Sequence, residues 1–179
     1  MTHAVLDLRT LPAATELSPP VAEAIALAAS VVLERIHGSE ENRYAVTIHG
    51  PGTTLGEIRR VPVDEAARAT YADLQEATEE GAEGIAVIVA RRVLDRIVFR
   101  RLPKGTGADY LMRDPASADK DRYERLECSG IGDGDESATS RLQSKLQQLA
   151  RFPEQPPGQA VVTSFRTTPV EIRYGSFPT

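Results

Sequence analysis

The pattern of apolar and polar positions divides the chain into helical and extended segments. Ser18 and two prolines precede an apolar stretch at residues 21–36, which predicts a capped helix that is buried on more than one side. Residues 43–63 alternate on either side of the sequence PGTT and predict a β-hairpin. Residues 1–18 show neither the helical nor the strand spacing of apolar residues and contain Pro12, so we expect an irregular lead-in there.

The second part of the chain alternates between helical and strand-like patterns. Asp64 is a candidate N-cap, and apolar residues recur at helical spacing towards residue 94, with a break expected near Gly81 and Gly84. This order of elements predicts an α/β (α+β) fold with a mixed central sheet flanked by helices. The predicted segments are a helix at 65–94, strands at 96–102, 108–114 and 122–131, a helix at 138–152, and strands at 159–165 and 170–175.

The length of the chain favours one domain over residues 1–179. We expect a helix and a β-hairpin at 1–63 as an N-terminal extension, and the remaining elements at 64–179 as the core. The longest apolar run, AIALAASVVL, is too short to cross a bilayer, and the first ten residues lack the pattern of a signal peptide. We therefore expect a cytoplasmic protein that does not engage a membrane.

Composition excludes some functions and changes the weight of others. The single cysteine, Cys128, excludes an internal disulfide and a cysteine-rich zinc site, and the absence of Trp removes one common base-stacking side chain. The net charge of −5 argues against tight nonspecific binding of nucleic acid. However, residues 1–90 carry 6 basic and 14 acidic side chains, whereas residues 91–151 carry 13 basic and 10 acidic ones. The basic part is either a solvated surface or the surroundings of a site.

Two carboxylates occupy unexpected positions within this basic part. Asp109 follows two glycines in GTGADY, and Glu127 lies at the centre of YERLECSG. Strand alternation places Glu127 and Ser129 on one face of their strand. A buried carboxylate is costly unless it is paired or bound to a metal. Taken singly, Asp109 is also explained as a turn cap and Glu127 as the partner of an arginine.

Taken together, the two acids and the order of elements give a resemblance to a known superfamily. The sequences GTGADY and LECSG, on the second and third strands after a helix, resemble the PD-(D/E)xK nucleases, which have the restriction-endonuclease-like fold. The likeness covers about residues 76–165. It implies that Asp109 and Glu127 bind Mg²⁺ or Mn²⁺ together with an acid of the preceding helix. Helical spacing favours Glu79 for that third ligand, because it lies nearer the apolar face than the alternative, Glu83.

The chain departs from the superfamily pattern at Ser129, where a lysine is usual. In some members a lysine from the following helix replaces it, and Lys145 is the matching candidate for this catalytic role. Lys104, before Asp109, is the alternative. Lys145 also lies at the border of an apolar stripe, where a lysine commonly extends its charge into solvent. Candidates for contacting a substrate phosphate are Lys104, Arg141 and Gln148.

Two functions follow as hypotheses. The first is a Mg²⁺-dependent nuclease-like hydrolase, an endonuclease or exonuclease that cleaves nucleic acid, most readily DNA, in repair or in bacterial defence against foreign DNA. The second is a catalytically inactive protein of the same fold that binds or scaffolds other proteins. In that case the acidic N-terminal part is the expected contact for a protein partner or for a second copy in a homodimer.

Overall fold

The computed structural model describes residues 3–177, so the predictions for residues 1, 2, 178 and 179 lie outside it. The predicted α/β fold with a mixed sheet flanked by helices is confirmed. No helix within residues 3–177 is long and apolar enough to span a membrane. The elements are β1 (His3–Asp7), α1 (Leu11–Ala14), α2 (Pro19–His37), β2 (Arg43–His49), β3 (Thr53–Arg59), α3 (Glu65–Thr70), α4 (Leu74–Arg92), β4 (Ile97–Arg101), β5 (Tyr110–Arg113), β6 (Glu124–Ile131), α5 (Ala138–Ala150), β7 (Gly158–Ser164) and β8 (Val170–Phe177).

All the strands of residues 3–177 belong to one sheet, in the order β1-β3-β2-β8-β7-β6-β5-β4. Strands β4, β5 and β6 are antiparallel, and β7 lies parallel to β6. The hairpin of β2 and β3 continues the same sheet, because β2 pairs in parallel with β8. The segment expected to form an N-terminal extension is therefore hydrogen-bonded into the sheet of the core.

The expectation of an irregular lead-in at residues 1–18 is wrong. Strand β1 pairs in parallel with β3, and a 3₁₀ turn at Leu8–Thr10 leads into α1. The reason is burial, because Leu6, Leu8 and Leu11 are all fully enclosed in the main core. The same segment then reaches β4, where the amide of Glu16 and the hydroxyl of Thr15 both donate to the carbonyl oxygen of Val98. Residues 3–17 thus contact both edges of the sheet.

The long helix expected at 65–94 is divided at residues 71–73, and the break expected near Gly81 and Gly84 does not occur. Asp73 starts α4 as an N-cap, since its Oδ1 accepts a hydrogen bond of 2.9 Å from the amide of Glu76. The glycines instead allow α2 and α4 to approach closely. A Cβ atom at residue 84 would collide with the backbone carbonyl of Ile25 in α2. Glycine is thus required here by helix packing.

The helices cover the two faces of the sheet unequally. Helices α2 and α4 pack on one face, where Leu126 and Cys128 of β6 join the main core. Helix α5 packs on the other face over β6, β7 and β8, and its Leu149 is buried against Ala160. The sheet face that carries Glu127 is the one covered by α5, as strand alternation predicts.

Candidate functional site

Asp109 immediately precedes β5, and Glu127 lies on the neighbouring strand, β6. Gly107 has a φ of +80°, a conformation that favours glycine, and turns the chain into Asp109. The amide of Asp109 donates to the carbonyl of Leu126 at 3.0 Å, and its Oδ2 accepts from the amide of Cys128 at 2.8 Å. The carboxylate of Asp109 is therefore fixed by the peptide that follows Glu127.

Burial makes both carboxylates reluctant to ionise. The side chain of Glu127 is 3% exposed, and loss of solvation, reinforced by the charge of Asp109, raises its pKa to about 7. Loss of solvation also raises the pKa of Asp109, although the amide of Cys128 and the charge of Lys145 act in the opposite direction. Two acids that repel each other in a poorly solvated place favour a cation beside them.

Helix α5 places two positively charged side chains beside these acids. Lys145 Nζ donates to Glu127 Oε1 at 2.6 Å and approaches Gln148 Oε1 at 3.4 Å. One turn earlier, Arg141 Nη1 donates to the hydroxyl of Ser129 at 3.1 Å. The ion-pair partner of Glu127 is thus a lysine of α5, not an arginine, and the guanidinium of Arg141 contacts the neighbouring residue on the same face, Ser129.

Arg141 is also held by an acid of the preceding loop. Its Nε and Nη2 donate to Glu136 Oε2 at 2.8 and 2.5 Å. Glu136 is exposed, so this ion pair is open to exchange with an anion from solvent. Lys104, the alternative to Lys145, is exposed in the loop before Asp109 and does not line the cavity described below.

The two acids of α4 do not lie where their helical positions suggested. Glu79 is exposed and accepts a hydrogen bond of 3.3 Å from Gln75. Glu83 is more buried. It accepts from the hydroxyl of Tyr110 and forms an ion pair with Arg101 at 3.0 Å. The expectation that Glu79 lies nearer the core was wrong, because α4 packs against α2 as well as the sheet and so buries a broad face. Within residues 3–177, no group of three His, Cys, Asp or Glu side chains is arranged to hold a metal ion.

A cavity of about 510 Å³ opens in front of the paired acids. It lies between α4, the end of β6, the loop after β6 and α5. Both of its basic side chains belong to α5, while Glu79 stands on the opposite wall. The lining residues are Leu74, Gln75, Thr78, Glu79, Asp109, Glu127, Cys128, Ser129, Gly130, Ile131, Gly132, Asp133, Arg141 and Lys145.

Sequence reasoning missed the role of Arg125. This side chain is 1% exposed, on the same face of β6 as Glu127. Its Nη2 donates to the carbonyl of Leu149 at 3.2 Å and its Nε to that of Pro156 at 2.7 Å. Arg125 thereby fixes the end of α5, one turn beyond Lys145. The alternation of β6 placed Arg125 on this face, but its carbonyl partners belong to segments that only the folded structure brings close.

The donor set near Asp109 and Glu127 consists of carboxylate oxygens, which suit a hard divalent cation such as Mg²⁺. Comparison with protein-family models, with curated proteins and with solved structures found no match for this chain.

Proposed function

We propose that this protein is a Mg²⁺-dependent, nuclease-like hydrolase of phosphodiesters in nucleic acid. The observation that carries the proposal is the cavity lined by buried Glu127, half-buried Asp109 and Lys145, whose Nζ donates to Glu127 Oε1 at 2.6 Å. The order α4-β4-β5-β6-α5-β7 supports it, since three antiparallel strands followed by a helix and a further strand is the order found in PD-(D/E)xK nucleases. Roles in DNA repair or in defence against foreign DNA are what that resemblance implies.

The two acids fit a magnesium site without a third carboxylate. Mg²⁺ is commonly held by one or two carboxylates and otherwise by water and substrate oxygens. Asp109 and Glu127 would hold it, and it would polarise the scissile phosphate and lower the pKa of a bound water. Burial, and after it the charge of Asp109, raises the pKa of Glu127, and the added positive charge would relieve the repulsion between the two acids.

The basic side chains of α5 would act on the substrate. With Glu127 neutralised by a divalent ion, the ammonium of Lys145 is free to donate to a phosphate oxygen and to stabilise the charge that develops there. Arg141 would exchange Glu136 for a second phosphate oxygen, because its fork of donors suits either anion. Gln148 lies beside Lys145 and would keep the ammonium oriented.

The proposal is tested by cleavage of labelled single-stranded and duplex DNA with Mg²⁺ or Mn²⁺. We expect Asp109→Asn and Glu127→Gln to abolish cleavage, and Lys145→Met to lower the rate by about 10²–10³-fold, the usual effect of losing one preorganised donor. Asp135→Asn is the control, since it removes an exposed acid that does not line the cavity. Cleavage that survives in both acid variants would refute the proposal.

The inactive relative of such a nuclease is the second candidate. It is favoured by the direct ion pair of Lys145 with Glu127, which already compensates one of the two acids. In that case calorimetry would detect no binding of Mg²⁺ or Mn²⁺, and the protein would be recovered with a protein partner or as a homodimer. Metal binding that is lost in Asp109→Asn would count against this alternative.

A further inference from the structure

The cavity has two chemically different walls. The α5 wall presents the ammonium of Lys145 and the guanidinium of Arg141, which suit a phosphate. The α4 wall presents the amide of Gln75 and the carboxylate of Glu79, which donate to or accept from neutral polar groups, and Thr78 lies between them in sequence. Such a pair of walls suits a ligand that is anionic at one end and neutral and polar at the other.

Thr78 provides independent support for a ligand at the α4 wall. Its side chain is 5% exposed, and its hydroxyl has no hydrogen-bond partner within the part of the chain that the structure describes. The hydroxyl lies directly beneath the backbone of Gly132, where a Cβ would approach it to 2.5 Å. Because a buried hydroxyl without a partner is costly, a polar group of a ligand at this place would be favoured.

The size of the cavity limits what it encloses. A volume of about 510 Å³ equals a cube with an edge of about 8 Å, within the range of about 300–1,000 Å³ typical of pockets for one small ligand. It is narrower than even the major groove of DNA, which is about 12 Å wide. The cavity is therefore suited to one nucleotide unit and too small for a duplex.

Acidic segments border the cavity on two sides. Residues 69–90 contain no Lys or Arg but include Asp73, Glu76 and Glu79, and residues 126–140 contain none but include Asp133 and Asp135. A phosphodiester chain that continued over either segment would meet like charge. On the side of β4 and the loop before Asp109, by contrast, the chain carries Arg101 and Lys104. Arg166, which donates to the carbonyls of Gly134 and Glu136, offsets part of the loop's charge. The most favourable exit for a nucleic acid is therefore the side of Arg101 and Lys104, and the least favourable is the side of α4.

We propose that the cavity binds a single nucleoside monophosphate unit at the end of a nucleic-acid strand. This inference rests on the proposed function. The phosphate lies towards Arg141 and Lys145, and the nucleoside lies towards Gln75, Thr78 and Glu79. Hydrolysis forms a bond from a water oxygen to phosphorus and breaks the bond between phosphorus and the sugar oxygen of the neighbouring nucleotide. One water proton passes to the sugar oxygen that leaves, and the products are a mononucleotide and a strand shorter by one.

The first test compares linear and circular single-stranded DNA of the same sequence in the presence of Mg²⁺. We expect the linear strand to be shortened to mononucleotides and the circle to resist. A circle cleaved as fast as the linear strand, with cleavage lost in Asp109→Asn, overturns the strand-end inference and leaves the nuclease proposal intact. Absence of any Asp109-dependent cleavage overturns the nuclease proposal instead.

The second test measures ligand binding directly, so it does not depend on activity. Titration calorimetry with deoxyadenosine monophosphate and with inorganic phosphate is carried out on the wild type, Thr78→Val and Thr163→Val. Thr163 is the matched control, because its hydroxyl is also buried and without a partner in residues 3–177, and Thr163 does not line the cavity.

We expect the nucleotide to bind more tightly than phosphate, and Thr78→Val to weaken only the nucleotide, by about 3- to 10-fold, the value of one hydrogen bond. Thr163→Val should change neither affinity. Equal affinities for the two ligands, or a nucleotide affinity unchanged by Thr78→Val, overturn the nucleoside position. Tight binding of the nucleotide by a protein that leaves linear strands intact assigns the cavity to a free nucleotide and overturns the strand-end inference.

Discussion

Replacing Glu127 by glutamine should flatten the pH dependence of folding stability. The folded-state pKa of this acid is about 7, above its ordinary value of 4.5. Between these values the folded protein binds more protons than the unfolded chain, so the free energy of unfolding falls as pH rises. The stability that belongs to neutral Glu127 is complete below about pH 4.5 and is lost as pH passes through about 7. Glutamine keeps the shape and an acceptor for Lys145 Nζ but carries no titrating proton.

The size of the effect follows from the shift itself. A rise from 4.5 to about 7 corresponds to about 3 kcal/mol of unfolding free energy, lost between acidic and mildly alkaline pH. Asp109 contributes with the same sign, because burial also raises its pKa. Between acidic and mildly alkaline pH, the free energy of unfolding of the wild type should therefore fall by at least about 3 kcal/mol through the two acids. That of Glu127→Gln should fall only by the part due to Asp109.

The assay is urea unfolding followed by circular dichroism at about pH 5, 6, 7 and 8, since stability is read from such curves by linear extrapolation. Glu154→Gln removes an exposed acid and serves as the control that should follow the wild type. A metal that binds the ionised pair should restore stability more at pH 8 than at pH 5, in proportion to RT ln(1 + [Mg²⁺]/Kd).

Parallel stability curves for the wild type and Glu127→Gln would refute the reasoning. They would mean that Glu127 ionises in the folded protein as readily as in the unfolded chain. The ion pair with Lys145 would then outweigh the loss of solvation, and the acid pair would need no further cation.

Two further predictions concern packing. Gly84→Ala should lower the free energy of unfolding by about 1–3 kcal/mol, because the added methyl group overpacks against α2. Thermal melting measures the effect, and Gly52→Ala, which has open space around it, is the control that should change little. Equal melting temperatures for the two variants would contradict the close helix contact. Arg125→Met should lower the free energy of unfolding by about 1–3 kcal/mol, because buried carbonyls at the end of α5 lose their donor. It should also reduce cleavage, because the position of Lys145 depends on α5, and full activity in a folded Arg125→Met variant would contradict that dependence.

The local pattern of the sequence predicted the central part of the fold well. Alternation in β6 placed Glu127 and Ser129 on one face because a strand has a period of two whatever its surroundings. The element missed at the start, β1, is a strand of five residues whose partner is β3, about fifty residues away. Its pairing is a non-local interaction that no short window of sequence contains.

The candidate site was predictable where it depended on one element and not where it depended on several. The border position of Lys145 on its helix was visible from its spacing relative to the apolar stripe. The relative burial of Glu79 and Glu83 could not be predicted in this way. Helix α4 packs both on α2 and on the sheet, so a single hydrophobic face does not describe this helix. Likewise, the position of Arg141 at Ser129 joins a helix and a strand that only the folded structure brings together.

The bonds of residues 3–17 to both edges of the sheet determine how the whole sheet is curved. Laid flat, eight strands with a spacing of about 4.8 Å would place β1 and β4 about 34 Å apart. The eight residue-to-residue steps from Asp7 to Thr15 reach at most about 28 Å when fully extended, and part of this segment is helical. The sheet must therefore roll around α2 and α4 until its edges come within reach of one short connection. Flattening of the sheet would pull that connection away from Val98 in β4, the strand that leads to Asp109. The curvature of the sheet on the side of β1, β3 and β2 is therefore mechanically linked to the acid pair.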